Sequence, residues 1–352
     1  MIAAARAVLI CGLGAALLAC DGAASARKVP LTELAAQMAA VECAVRPQCT
    51  GRPLEATDQD CVTQTTARLQ STVVAQVADA VARGTAVYDE RGAWNCVAAL
   101  KAAGCARFGT LLPESCLAAM GGVGAAGAAC ASEFDCRADH TCRTDVQCPG
   151  MCAPRGAAGA DCGTDRDCAP GLRCPDIGGK CAVPLQGDKD CDLFGKPCDF
   201  GLTCFSPTIL ETGRCVPVVR AWQSPVGEPC AILASFFCAP GLSCPVLSNV
   251  AGEFPTCAPA SASGGACVIG LPDPCPAAEY CAGSILEGTG MCTPRVGRGA
   301  ACVTSRQCLL GDVCEKGVCG PRQNLGGACE TESGCWSRAC VGGACVTPTL
   351  CD

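Results

Sequence analysis

Aromatic side chains are scarce in this chain: three Trp, two Tyr and eight Phe in 352 residues. Aromatics supply the largest blocks of buried area, so much of the chain cannot build an ordinary apolar core. The 50% hydrophobic fraction is inflated by Ala and Cys. Histidine occurs once, at His140 in "CRADHTC", and any Cys–His or Ser–His–Asp mechanism would have to run through it. Between two cysteines of a short turn it lacks the support a rigid site needs, and it is expected to be an exposed turn residue. No Cys-x-x-Cys occurs, the tightest spacing being Cys148 to Cys152. That argues against structural zinc, thioredoxin-type redox chemistry and c-type haem. No basic run is present to neutralise phosphates, which excludes nucleic acid as an expected partner. Beyond the first twenty residues no apolar segment approaches transmembrane length.

Two weaker motifs are set aside. Asp188, Asp190, Asp192 and Asp199 echo a calcium loop, but Leu193 stands where that loop needs glycine, and Cys191 is expected in a bridge. No acidic pair sits on a recognisable glycosidase scaffold. The sequence therefore offers no catalytic residue, no metal ligand set and no cofactor site.

What is abundant is cysteine, 38 in all, the density of a disulfide scaffold. Such use requires an oxidising compartment. The N-terminus supplies an export route: Arg6, then an apolar run from Ala7 to Leu18, too short to span a bilayer but suited to a signal peptide. The run ends in Leu17-Leu18-Ala19-Cys20, which resembles a bacterial lipobox. Residues 1–19 read as signal peptide, Cys20 as the lipidated mature N-terminus and 20–30 as a tether. The bland alternative is ordinary cleavage near Ala23-Ala24-Ser25-Ala26. Either cleavage leaves 36 cysteines for pairing, an even number. Loss of Arg6 leaves 25 basic against 33 acidic side chains.

Residues 31–121 read as a helical domain. Thr32 is a cap for a helix carrying Leu34, Met38 and Val41. Thr57-Asp58-Gln59-Asp60 resembles a capping box for a helix with Val62, Leu69, Val73, Val77 and Val81 on one side, stopped by Gly84. Asp89 caps a third helix through Trp94, Val97 and Leu100, ended by Gly104. Pro113 opens a fourth, running to Met120. Cys43, Cys49, Cys61, Cys96, Cys105 and Cys116 fasten this thin core in one of fifteen pairings.

From Gly127 the chain becomes a repeat, and residues 127–352 form seven four-cysteine units. The units hold Cys130, Cys136, Cys142 and Cys152; Cys162, Cys168, Cys174 and Cys181; Cys191, Cys198, Cys204 and Cys215; Cys230, Cys238, Cys244 and Cys257; Cys267, Cys275, Cys281 and Cys292; Cys302, Cys308, Cys314 and Cys319; and Cys329, Cys335, Cys340 and Cys345. Each begins with a Gly two to four residues before its first cysteine. Five residues separate the second and third cysteines in every unit but the last, which has four, whereas the gap from third to fourth runs from four to twelve. A fixed turn beside a loop of free length fits a disulfide-clamped hairpin, because lengthening a loop costs little closure entropy. First-to-third and second-to-fourth bridges within each unit are expected, as Cys162–Cys174 and Cys168–Cys181. A direct Cys168–Cys174 bridge is also sterically allowed. Cys148 and Cys351 fall outside the frame: either they pair with each other or one is free.

"CGTDRDCAPGLRC" and its relatives resemble the Dickkopf N-terminal cysteine-rich pattern, cysteine-x-Asp-x-Asp-cysteine-x-x-Gly-x-x-cysteine. The whole chain resembles cysteine-rich lipoproteins of myxobacteria, in which a helical cysteine-bearing region precedes tandem units of this kind. The resemblance implies a fold class: a small disulfide-rich array of short β-hairpins and loops, preceded by a small all-α, disulfide-bonded domain. No receptor-binding motif of the animal Dickkopf proteins is present to carry over.

The function expected is non-enzymatic: an extended rod or beaded array held at the cell envelope, at the outer membrane or cell surface, through lipid at Cys20, with a structural or adhesive role or an extracellular protein or glycan partner. The rivals are a secreted inhibitor or toxin-like protein, an envelope enzyme with its site in the helical domain, and a metal-storage protein. Ile209-Leu210, Ile232-Leu233, Phe236-Phe237 and Ile285-Leu286 either form an exposed contact patch or pack locally.

Overall fold

The computed structural model describes residues 27–50, 58–107, 112–144, 148–175, 179–193, 195–206, 211–230, 237–245, 254–271, 273–276, 278–284 and 288–350. The signal peptide, Cys20 and Thr57 lie outside them, as do Cys351 and all the paired apolar loop residues except Phe237. Among the described residues no helix is long and apolar enough to cross a membrane.

The helical region is built from α1 (Leu31–Thr50), α2 (Asp58–Leu69), a π turn (Gln70–Val74), α3 (Ala75–Ala82), α4 (Glu90–Ala103) and α5 (Glu114–Ala119). Thr32 is exposed inside the first turn of α1 instead of capping it; the helix begins one residue earlier, and the Pro30 carbonyl accepts the Glu33 N–H at 2.9 Å. Leu34 and Met38 are buried as expected. The second expected helix is interrupted by the π turn, which inserts an extra residue and moves the buried face from Val73 to Val74. Cys61, Leu69, Val74, Val77 and Ala80 are buried, while Val81 is exposed. Asp89 does cap α4, accepting from the Arg91 N–H at 3.0 Å, and Gly104 ends it at φ +52°. Pro113 precedes α5 as its cap residue. Bridges Cys43–Cys61, Cys49–Cys105 and Cys96–Cys116 fasten these helices. A charged link adds to them: Glu42 of α1 pairs with Arg46 at 2.5 Å and with Arg68 of α2 at 2.7 Å.

Each of the seven units is closed in the same way, first cysteine to third and second to fourth. The third and fourth cysteines face each other across an antiparallel hairpin, as Cys142 opposite Cys152 and Cys204 opposite Cys215, yet are not bonded to each other. The residue three before the first cysteine is always left-handed. It is Gly127, Gly159, Gly227, Gly264, Gly299 or Gly326, and in the third unit Asp188 at φ +59°. This accounts for the recurring glycine. The next residue's carbonyl accepts the N–H of the fourth cysteine in all seven units, at 2.8–3.0 Å.

The second cysteine is followed by another fixed turn. In "CAPGLRC" the Leu172 N–H reaches the Ala169 carbonyl at 3.0 Å, with Pro170 and Gly171 (φ +87°) between them, as a type II turn requires. The last unit has a four-residue gap and places Arg338 there at φ +59°. Cys148 is disulfide-bonded too. Bridging on this scale fits an extracellular protein.

The array is not the extended rod its repeats imply. Phe134 of unit 1 is buried in the helical core, and the buried Asp135 binds Arg83 and Thr85 of the helical region. Between units 3 and 4, Val218 and Trp222 pack on Cys49, and the Gln223 amide donates to the Cys49 carbonyl at 3.1 Å. Gly311 of unit 6 sits so close to Gln64 of α2 that a Cβ there would lie 2.5 Å from its Nε2. The tail then returns: the Gln76 amide donates to the Pro348 carbonyl at 2.7 Å, and the Leu350 N–H to Ala131 of unit 1 at 3.0 Å. The units lie against the helices partly because apolar residues such as Phe134 in unit 1 and Trp222 in a spacer are covered by the helical region.

Candidate functional site

Many of the acidic residues in the repeats serve the backbone. Ser132, Thr164 and Thr304 each open a 3-10 turn as one half of a capping box, with Asp135, Asp167 and Gln307 as the other half. Asp167 Oδ2 takes the Gly163 and Thr164 N–H groups at 2.8 Å each. The third cysteine's N–H is also taken by a side chain: Asp165 accepts from Cys174 at 2.8 Å, Asp273 from Cys281 at 2.9 Å, and Ser305 from Cys314 at 3.0 Å. In Asp135, burial pushes the carboxyl up, but hydrogen bonds from Thr85, Arg83 and the Ala131 and Ser132 amides outweigh it. The carboxyl is held below the usual range.

The calcium-loop residues are dispersed. Asp192 accepts from the Gly195 N–H at 2.5 Å, Asp199 from Gln186 and Phe200, and Asp190 faces Arg214 at 4.0 Å. Leu193 is fully buried in the unit 3 core, so no room is left for a cation at its position. The clusters of three cysteine sulfurs are those of the bridges, whose thiolates are consumed. Phe237, the one described member of the expected apolar patch, packs edge-on against Trp222 at 6.5 Å.

His140 departs from expectation: it is 7% exposed and lies on the strand His140–Arg143, not on an open turn. The strand pairs with Gly150–Pro154, and His140 lines a small cavity together with Arg155 and with Leu117 and Met120 of the helical region. Its Nδ1 is 2.7 Å from Asp139 Oδ1, a carboxylate held below its ordinary range first by that hydrogen bond.

His140, Glu133, Phe134, Arg155 and Arg166 line a cavity of about 10 Å³ where α5 meets unit 1. A larger one, about 90 Å³, adjoins it and shares Leu117, Arg155 and Arg166, its far wall being Ala169–Leu172 and Phe200. Together they form a cleft between α5 and units 1 and 2. Arg155 Nη1 meets Glu114 at 3.0 Å, while the Arg166 guanidinium lies 5.7 Å from the Phe134 ring. Burial lowers the Arg166 pKa, partly countered by the nearby Glu133 charge. Burial likewise raises that of Glu133, whose carboxylate accepts from Thr141 and from the Cys142 N–H at 3.4 Å. The two cysteines lining the cleft, Cys136 and Cys168, are bridged.

No family model, curated protein or solved structure matches the chain. The cleft was not legible as a site, since Arg155 and Arg166 belong to different units and meet only through packing on α5.

Proposed function

We propose that this is an exported, lipid-anchored, non-enzymatic protein of the cell envelope, built of Dickkopf-like units and binding an extracellular protein or glycan. The reading rests chiefly on one observation: the units spend their cysteines on bridges and many of their carboxylates on backbone N–H groups, a use of both in building a display surface. The wrapped array favours a compact binding body over a spacer rod. Membrane attachment is assigned to lipid at Cys20, with at least two acyl chains because one gives only marginal anchoring.

The test is Cys20→Ser in the native host, followed by fractionation and fatty-acid labelling. The wild-type chain is expected in the envelope with label, and the variant in the soluble fraction without it. Unchanged membrane partition of the variant would overturn the anchor, and a wild-type protein found released would favour a secreted inhibitor.

A further inference from the structure

We propose that the cleft between α5 and units 1 and 2 binds a small oxyanion, the carboxylate or phosphate group of a ligand, between Arg155 and Arg166. The inference adds a ligand chemistry to the binding role above and does not depend on the anchor.

Two guanidinium groups present unmet donors here. The Arg155 side chain is only 7% exposed, and its Nε is buried without a hydrogen-bond partner. Arg166 Nε is buried without a partner as well, and both side chains line the two cavities of the cleft. A buried donor left unmade is costly, whereas a guanidinium fork matches the geometry of a carboxylate or phosphate. A ligand that supplies those oxygens would relieve the cost.

The neighbouring carboxylates reach neither Nε: three are engaged elsewhere, and the fourth, Glu114, meets Arg155 only at Nη1. Asp165 faces Arg173 at 2.9 Å and the Cys174 N–H. Asp167 closes its own capping box. Glu133 accepts from Thr141 and Cys142. Glu114 occupies Arg155 Nη1 and leaves its buried Nε without a partner. The cavity of about 90 Å³ exceeds the room needed for one water. Leu112, Leu117, Pro170, Leu172 and Phe200 give it an apolar wall, suited to the body of an acid whose charged end meets the arginines.

The experiment is isothermal titration of the detergent-purified full chain with inorganic phosphate, acetate and glucuronate, with glucose as the neutral control. At least one anion is expected to bind and glucose not to. Binding of phosphate alone would identify a phosphoryl ligand; binding of glucuronate over acetate would identify an acidic sugar. Arg166→Gln should weaken binding about tenfold or more, and Arg166→Lys by less, since it keeps the charge and loses the fork. Arg214→Gln, on an exposed hairpin of unit 3, should leave it unchanged. Absence of binding by all three anions, or equal binding by wild type and a folded Arg166→Gln, would overturn the site. Far-UV circular dichroism and bridge mapping establish that the variants are folded. Repeating the titration on the Cys20→Ser chain separates loss of the site from loss of the anchor.

Discussion

The helical region and the array solve the same problem by opposite means. The helices bury a continuous apolar set, Leu34, Met38, Leu69, Val77 and Met120 among them, and add three bridges to it. In units 1 and 4 the buried cluster is the four cysteines themselves. Burying a Leu or Met side chain is worth about 1.5–3 kcal/mol, and a bridge about 2–4 kcal/mol. A unit with two bridges thus needs almost no apolar core, which is how a chain so poor in aromatics folds over this length. Several polar residues of the units, Asp165, Asp167 and Asp273 among them, complete the backbone instead.

Reduction should break the comparison most strongly. Thiol reductant is expected to unfold the units while part of the helical circular dichroism survives, because the helices keep their own backbone hydrogen bonds. Loss of both signals at one reductant concentration would show that the helices depend on the array wrapped about them.

Next in size is Asp135→Asn, at the junction of the two regions. Removing a buried charge that holds Arg83, Thr85 and two backbone amides should cost about 2–4 kcal/mol in denaturant unfolding. The carboxyl is held below its ordinary value, so its contribution is complete above the unfolded pKa and lost as pH falls through the folded one. The wild type should therefore lose this increment on acidification below about pH 4, and the variant should not.

Within the array, Gly171→Ala places a side chain at φ +87° and should cost about 1–2 kcal/mol. The smallest effect is the converse, Arg338→Gly in the last unit, which should gain up to about 1 kcal/mol by relieving φ +59°. Thermal unfolding of both variants would show whether the second-cysteine turn is equivalent in units of five- and four-residue gap.

The two regions also differed in how much of them could be read from sequence. In the units, spacing alone marks the turn between second and third cysteines and the Gly before the first, since each is a local backbone requirement. In the helices, caps such as Asp89 were legible for the same reason. The shift from Val73 to Val74 was not, because two adjacent valines satisfy either register until the π turn chooses between them. Burial of His140, the cleft around Arg155 and Arg166, and the wrapping all depend on contacts between distant segments, which no local pattern records.

That wrapping bears on how such a chain can evolve. A unit that bridges only within itself can be copied without disturbing its neighbours, so an open array could lengthen freely. Here Pro348 is held by Gln76, and Leu350 reaches Ala131 in the first unit. Adding or removing a unit would have to move the tail relative to both contacts. Those two contacts thus couple the unit count to the helical body, whereas the hairpin loops, whose length the bridges leave free, can vary without disturbing either.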